Sequence, residues 1–132
     1  MPKLELSAAF VALALLAASP ALAQDRAPIR VVETAKGAAL ADPAGMSLYV
    51  FDKDASGRSN CAEACAQNWP PLLAKADAMA DGAYGLVTRE DGSLQWAFNG
   101  RPLYRWIKDQ KPGDISGDGF LANSWHLAVA KP

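Results

Sequence analysis

The chain carries one sentence written twice. Residues 48–54 read LYVFDKD and residues 103–109 read LYRWIKD, so both have the form Leu-Tyr-x-aromatic-x-Lys-Asp. The match runs upstream without a gap. Val32 aligns with Val87, Gly37 with Gly92, Gly45 with Gly100, Leu48 with Leu103, Tyr49 with Tyr104, Lys53 with Lys108 and Asp54 with Asp109. Downstream, Trp69 meets Trp125 once one residue is inserted. Glycines at turn positions and an aromatic pair are among the identities, which argues against chance. One structural unit is used twice, about 31–72 and 86–128.

The pattern inside each unit is that of strands. Arg30 to Ala35 alternates, with Val31 and Val32 branched at Cβ. Lys36-Gly37 turns, Ala38 to Asp42 is a weaker strand, and Pro43-Ala44-Gly45 turns again. In Met46 to Asp52, Tyr49 and Phe51 point to one face and Leu48 and Val50 to the other. Both faces are apolar, which predicts burial on both sides. The second unit repeats the plan: strands over 85–90, 93–98 and 101–107, with Asp91-Gly92 and Asn99-Gly100 between them. Both dipeptides suit the positive φ of a two-residue type I′ hairpin. The second turn sets Trp96 opposite Leu103 and Phe98 opposite Arg101, and Pro102 marks an edge or a bulge.

After each three-stranded meander comes an irregular loop and then a tryptophan. In the first loop, Asn60 with Glu63 three residues on reads as the start of a short helix over Cys61–Gln67. Trp69-Pro70-Pro71 ends it. The second loop, 110–123, is rich in Gly and Asp, and Trp125–Ala130 is a last strand. Leu73–Ala83 joins the units, with room for a short helix. Isolated three-stranded sheets are marginal in water. Two meanders packed face to face bury both apolar faces. The expected fold is therefore mainly β, a small β-sandwich or half-open barrel with a pseudo-twofold axis and a short helix near the cysteine pair.

The first 23 residues read as a secretory signal: Lys3, an apolar run from Ala8 to Ala18, and Ala21-Leu22-Ala23 before Gln24. The run is too short to span a bilayer. No cysteine lies near the cleavage site to take a lipid anchor. A soluble periplasmic or secreted protein is expected, with a single β domain over 24–132. Lys3 and Glu5 leave with the signal, so 13 basic and 14 acidic residues become 12 and 13. That balance gives no reason to expect nucleic acid or an anionic membrane as partner.

Tyr49-x-Phe51-x-x-Asp54 and Tyr104-x-Trp106-x-x-Asp109 resemble the Tyr-x-(Phe/Trp/Tyr)-x-x-Asp motif of a bacterial secreted-repeat family. Its members are usually called predicted lipoproteins of unknown function. The resemblance extends to Ser59-Asn60-Cys61, Cys65-Ala66, Trp69-Pro70-Pro71, Arg89-x-Asp91-Gly92, Gln95-Trp96, Gly100-x-Pro102-Leu103-Tyr104, Pro112-Gly113-Asp114 and Trp125-His126. It implies export and duplication, and brings no established activity. It places both cysteines in the loop that closes the first unit against Trp69-Pro70-Pro71.

Cys61 and Cys65 stand at i and i+4. In a regular helix their Cβ atoms lie roughly 6 Å apart, against about 3.5–4.5 Å in a disulfide. A bridge therefore needs Cys61 ahead of the helix. An exported chain with one cysteine pair favours a structural bridge. The competing reading is a thiol pair that cycles or binds Cu(I), with His126 as third ligand. Asp52-x-Asp54-x-Ser56-Gly57, with Glu63 at the twelfth position, and Asp114-x-Ser116-x-Asp118-Gly119 resemble the start of a Ca²⁺ loop, although Asp and Gly are also ordinary turn residues. The aromatic residues serve either as core or as a ligand-stacking surface. No phosphate loop, zinc motif or nucleophile elbow occurs, and a lone histidine makes no hydrolase triad. The expected function is a non-enzymatic exported binding or envelope-associated module, with loops 54–68 and 110–124 carrying recognition. The alternative is a redox or copper-handling protein.

Overall fold

A computed structural model describes residues 27–130. The expected signal segment and the start at Gln24 lie outside the described residues. In chain order the elements are β1 (Arg30–Thr34), β2 (Gly37–Ala41), β3 (Tyr49–Phe51), α1 (Ala64–Asn68), β4 (Leu73–Ala74), β5 (Tyr84–Thr88), β6 (Leu94–Phe98), β7 (Arg101–Pro102), α2 (Phe120–Asn123) and β8 (Trp125–Leu127). The architecture is mainly β, in two repeats whose sheets are open rather than closed into a barrel.

Each repeat opens with an antiparallel hairpin, β1–β2 in the first and β5–β6 in the second. The third strand of each meander stays with its hairpin only at the start. Leu48 donates to the Leu40 carbonyl, and Leu103 to the Trp96 carbonyl. The next residues pair at the centre of the molecule, where the amides of Tyr49 and Tyr104 each donate to the other's carbonyl. Each repeat is then completed by a strand from the other. Beyond Trp69 the chain runs along repeat 2, where Leu73 and Ala74 pair with Gln95 and Leu94. Beyond Trp125 it runs along repeat 1, where Trp125–Leu127 pair with β3 and Ala128 and Ala130 bond to β2.

This exchange produces two equivalent corners. In one, Leu40 donates to Ala128, Ala128 to Leu48 and Leu48 to Leu40. In the other, Trp96 donates to Leu72, Leu72 to Leu103 and Leu103 to Trp96. Three strands thus satisfy one another's backbone groups in a ring, once on each side of a pseudo-twofold axis through Tyr49 and Tyr104.

The two faces of the motif strand feed two cores, as the alternation demands. Tyr49 and Phe51 join Trp69, Tyr104, Trp106, Trp125 and Leu127 in one cluster. Leu48 and Val50 join Leu40, Leu72, Trp96, Leu103 and Ala128 in the other.

Several local expectations are corrected. Asn99 and Gly100 do form the two-residue turn with positive φ at both positions, and Phe98 faces Arg101. Asp91-Gly92 does not, since only Gly92 has positive φ. The carboxylate of Asp91 accepts from the amide and hydroxyl of Ser93, and Arg89 and Ser93 close a wider loop. Asn60 does not start the helix. The residue before α1 is Glu63, at φ 55 and without a side-chain cap. The joining segment forms β4 and turns rather than a helix. The strand expected over 101–107 is short, because Trp106 already begins the turn that ends in the Asp109-to-Trp106 bond.

Candidate functional site

The repeated motif is a reciprocal clasp. The hydroxyl of Tyr49 donates to Asp109 Oδ2 at 2.6 Å, and that of Tyr104 to Asp54 Oδ2 at 2.7 Å. Each repeat's tyrosine holds the other repeat's aspartate. The second oxygen of each carboxylate anchors its own loop: Asp54 accepts from the Asn60 amide, and Asp109 from the amide and hydroxyl of Ser116. Burial, reinforced by the carboxylate, lifts the Tyr49 phenol far above its ordinary range. Burial does the same for Tyr104, against the pull of the Ser59 hydrogen bond. Burial also raises the Asp54 carboxyl, opposed by the Asn60 amide, the Tyr104 hydroxyl and the charges of Arg89 and Arg101.

The rings obey the same symmetry. Trp69 and Trp125 lie face to face, 3.8 Å apart between centroids and 2° from parallel. Phe51 stacks on the outside of Trp125 at 4.2 Å, and Trp106 on the outside of Trp69 at 4.1 Å. Tyr49 and Tyr104 approach Trp69 and Trp125 edge-on. The resulting column, Phe51–Trp125–Trp69–Trp106, alternates between repeats. All four rings are buried. They form the aromatic core, and a recess of about 330 Å³ bordered by Lys108, Phe120 and Leu121 reaches all four.

The loops that close the repeats differ. In the first, Cys61 and Cys65 are joined by a disulfide, with Cys61 ahead of α1 as the spacing requires. Cys61 is fully buried against the ring column. Arg89 reaches across from repeat 2: Nη1 donates to Ser59 Oγ and Gln95 Oε1, and Nη2 donates to the Cys61 carbonyl at 2.6 Å. Gln95, itself fully buried, donates onward to the Leu103 carbonyl. In the second loop, Asp114 accepts from the amides of Gln110 and Lys111. Asp118 accepts from the Leu127 amide and pairs with Lys36. Burial would raise the Asp118 carboxyl, but those two bonds outweigh it and hold it below the ordinary value. Leu121, Ala122 and Asn123 have φ of 55°, 52° and 65°, so α2 is one left-handed turn, with Phe120 and Leu121 exposed. Such residues cost about 1–2 kcal/mol each.

The proposed ligand sets are dispersed into these roles. Cys61 and Cys65 are bonded to each other. His126 Nε2 lies 2.7 Å from Asp52 Oδ2, whose partner oxygen takes Arg101. Of the calcium candidates, Asp54, Asp114, Ser116 and Asp118 hold the backbone and side-chain bonds above, and Glu63 sits before α1. Among the described residues, no group of three or more His, Cys, Asp or Glu side chains is placed to hold a metal ion.

A concave surface does occur beside the disulfide. A cleft of about 520 Å³ runs between the first loop and the β5–β6 turn, with Ser59, Cys61, Arg89 and Gln67 in its walls and Glu63, Glu90 and Asp91 at exposed positions. Arg89 commits three N–H donors internally, both on Nη1 and one on Nη2, which leaves Nε–H and one Nη2 donor. Arg89 and Gln95 were not singled out as site residues from the sequence. Their only signal was membership of Arg89-x-Asp91-Gly92 and Gln95-Trp96 in the family resemblance.

No curated protein and no solved structure matches the chain. A family model described as a secreted repeat of unknown function matches it twice, over 30–73 and 85–129. Each match spans a hairpin, its motif strand, its loop and the strand it gives to the other repeat. No helix among the described residues is long and apolar enough to cross a membrane. With most of its length covered by two copies of that unit, the chain belongs to this family of secreted repeats.

Proposed function

We propose that the protein is a non-enzymatic binding module, exported to the periplasm or beyond by the segment 1–23, and that it recognises its ligand at the cleft beside the disulfide. One observation carries the reading. The motif tyrosines and aspartates, the groups a catalyst would draw on, are consumed in clasping the repeats, whereas Arg89 keeps two donors and borders a cleft. The bridge and Arg89 hold the first loop in one shape, which suits a preformed recognition surface. Acidic residues beside the single guanidinium favour small polar ligands that carry an ammonium group over simple anions. The test is an NMR titration of residues 24–132 with free amino acids, short peptides and neutral sugars. Shifts confined to 59–67 and 89–91, weakened by Glu90→Gln, are expected. Shifts that cluster elsewhere, or an absence of shifts with all three classes, would overturn the assignment.

A further inference from the structure

Each repeat lacks the strand that finishes it and holds the strand that finishes the other. Repeat 1 gives Trp69 and the strand after it to repeat 2. Repeat 2 gives Trp125 and β8 to repeat 1. The tyrosine–aspartate clasps and the alternating ring column cross the same boundary. Nothing in these contacts requires that both repeats belong to one molecule.

What keeps them together is the segment 75–83. It is exposed at every residue but Ala78. Within it Ala78 donates to Lys75 and Asp81 exchanges bonds with Tyr84, and at its end Ala83 accepts from Asn99 of repeat 2. Ala74 lies beside Leu94 and Tyr84 beside Phe98, on opposite edges of β6. The segment therefore covers four residues along the strand and two strand spacings across it, a gap of about 17 Å. Its extended reach is about 30 Å, so it closes the gap with slack.

We propose that the face between the repeats is an interaction surface for a second copy of this chain. Repeat 1 of one molecule closes on repeat 2 of another through the same exchanged strands, clasps and rings. Two chains then form two complete repeat pairs, with the exchanged-strand bonds, clasps and ring contacts between the repeats reproduced. The monomer is favoured by the effective concentration that the linker provides, typically millimolar for a short flexible tether, and by the linker's own bonds and the packing of Ala78. Dimers appear wherever chains fold or reopen at high local concentration.

Two experiments test this on residues 24–132. In the first, a protease site placed within 76–81 is cut after folding. The disulfide closes within repeat 1, so no covalent bond joins the halves. They are expected to co-elute as one particle. Unfolding and refolding beside a tagged, cut copy is expected to give mixed pairs in about half of the tagged particles. Halves that separate in native buffer, or refold without mixing, overturn the proposal. In the second, residues 75–83 are deleted. One Cα step of about 3.8 Å then replaces the linker. A dimer of twice the mass is expected, with the near-ultraviolet signature of the tryptophan column intact. A folded monomer with that signature overturns the proposal. If the deletion chain fails to fold, the cut chain still decides.

Discussion

The loop at 54–68 and the loop at 110–124 stand in equivalent places and are secured by different chemistry. Both begin with a motif aspartate that grips the loop's backbone, and both end at a tryptophan in the ring column. Between those fixed points the first loop uses a covalent bridge and the Arg89 guanidinium. The second uses the carboxylates of Asp114 and Asp118 and the absence of a side chain at Gly117. A Cβ on Gly117 would stand 2.7 Å from the Trp69 ring. Symmetry thus fixes where a loop must start and finish. It leaves the means of holding the middle free to diverge, and the cleft beside Arg89 belongs to the first loop.

The strongest test asks whether the shared part is as symmetric in energy as in geometry. Phe51→Ala and Trp106→Ala remove the two ends of the column, and each should cost about 3–5 kcal/mol in denaturant unfolding. A cost under about 1 kcal/mol at either position would break the equivalence. The divergent parts come next. Gly117→Ala forces the loop away from Trp69 and should cost about 1–3 kcal/mol by overpacking. Replacing both Cys61 and Cys65 by serine should cost a similar 1–3 kcal/mol, with faster amide exchange confined to 59–67. Exchange that accelerates equally in 110–123 would show that the loops are not independently secured.

The smallest effect is a pH dependence of opposite sign in the two loops. The folded-state pKa of Asp54 lies above its usual 3.8. Between those values the folded chain binds more protons, so this group adds stability as the pH falls. The stability of wild type relative to Asp54→Asn should therefore increase from pH 7 towards pH 4. Asp118 is held below 3.8. Its contribution is present above that value and is lost as the pH falls through the folded one. The advantage of wild type over Asp118→Asn should shrink in acid. Parallel trends in the two variants would contradict the assigned environments.

Much of this was legible in the sequence, for reasons that can be named. Leu48 to Phe51 alternate between two apolar faces, and both faces became core. Asn99-Gly100 demanded one turn geometry and received it. The exchange of strands was not legible, because two copies of one motif do not record which copy each final strand completes. The Asp91-Gly92 reading failed because the Asp91 carboxylate found Ser93 and made a wider loop preferable to positive φ at Asp91. The helix start at Asn60 failed because Cys61 had to stay outside the helix to reach Cys65, and Glu63 took a left-handed conformation at the boundary. The clasp was half visible. The repeated motif marks Asp54 and Asp109, but does not show that their tyrosine partners lie in the opposite repeat.

The crossed pairing of Tyr49 with Asp109 and Tyr104 with Asp54 bears on how such a gene can change. A substitution in one copy of the motif is answered by a residue in the other, so compensating changes should be sought across the copies and not within them. Replacing either copy with a more distant cousin would mismatch both clasps at once. Duplicated genes usually drift apart because each product becomes free of its twin. Here neither copy is, and the two are bound to be inherited, lost and refined as a pair.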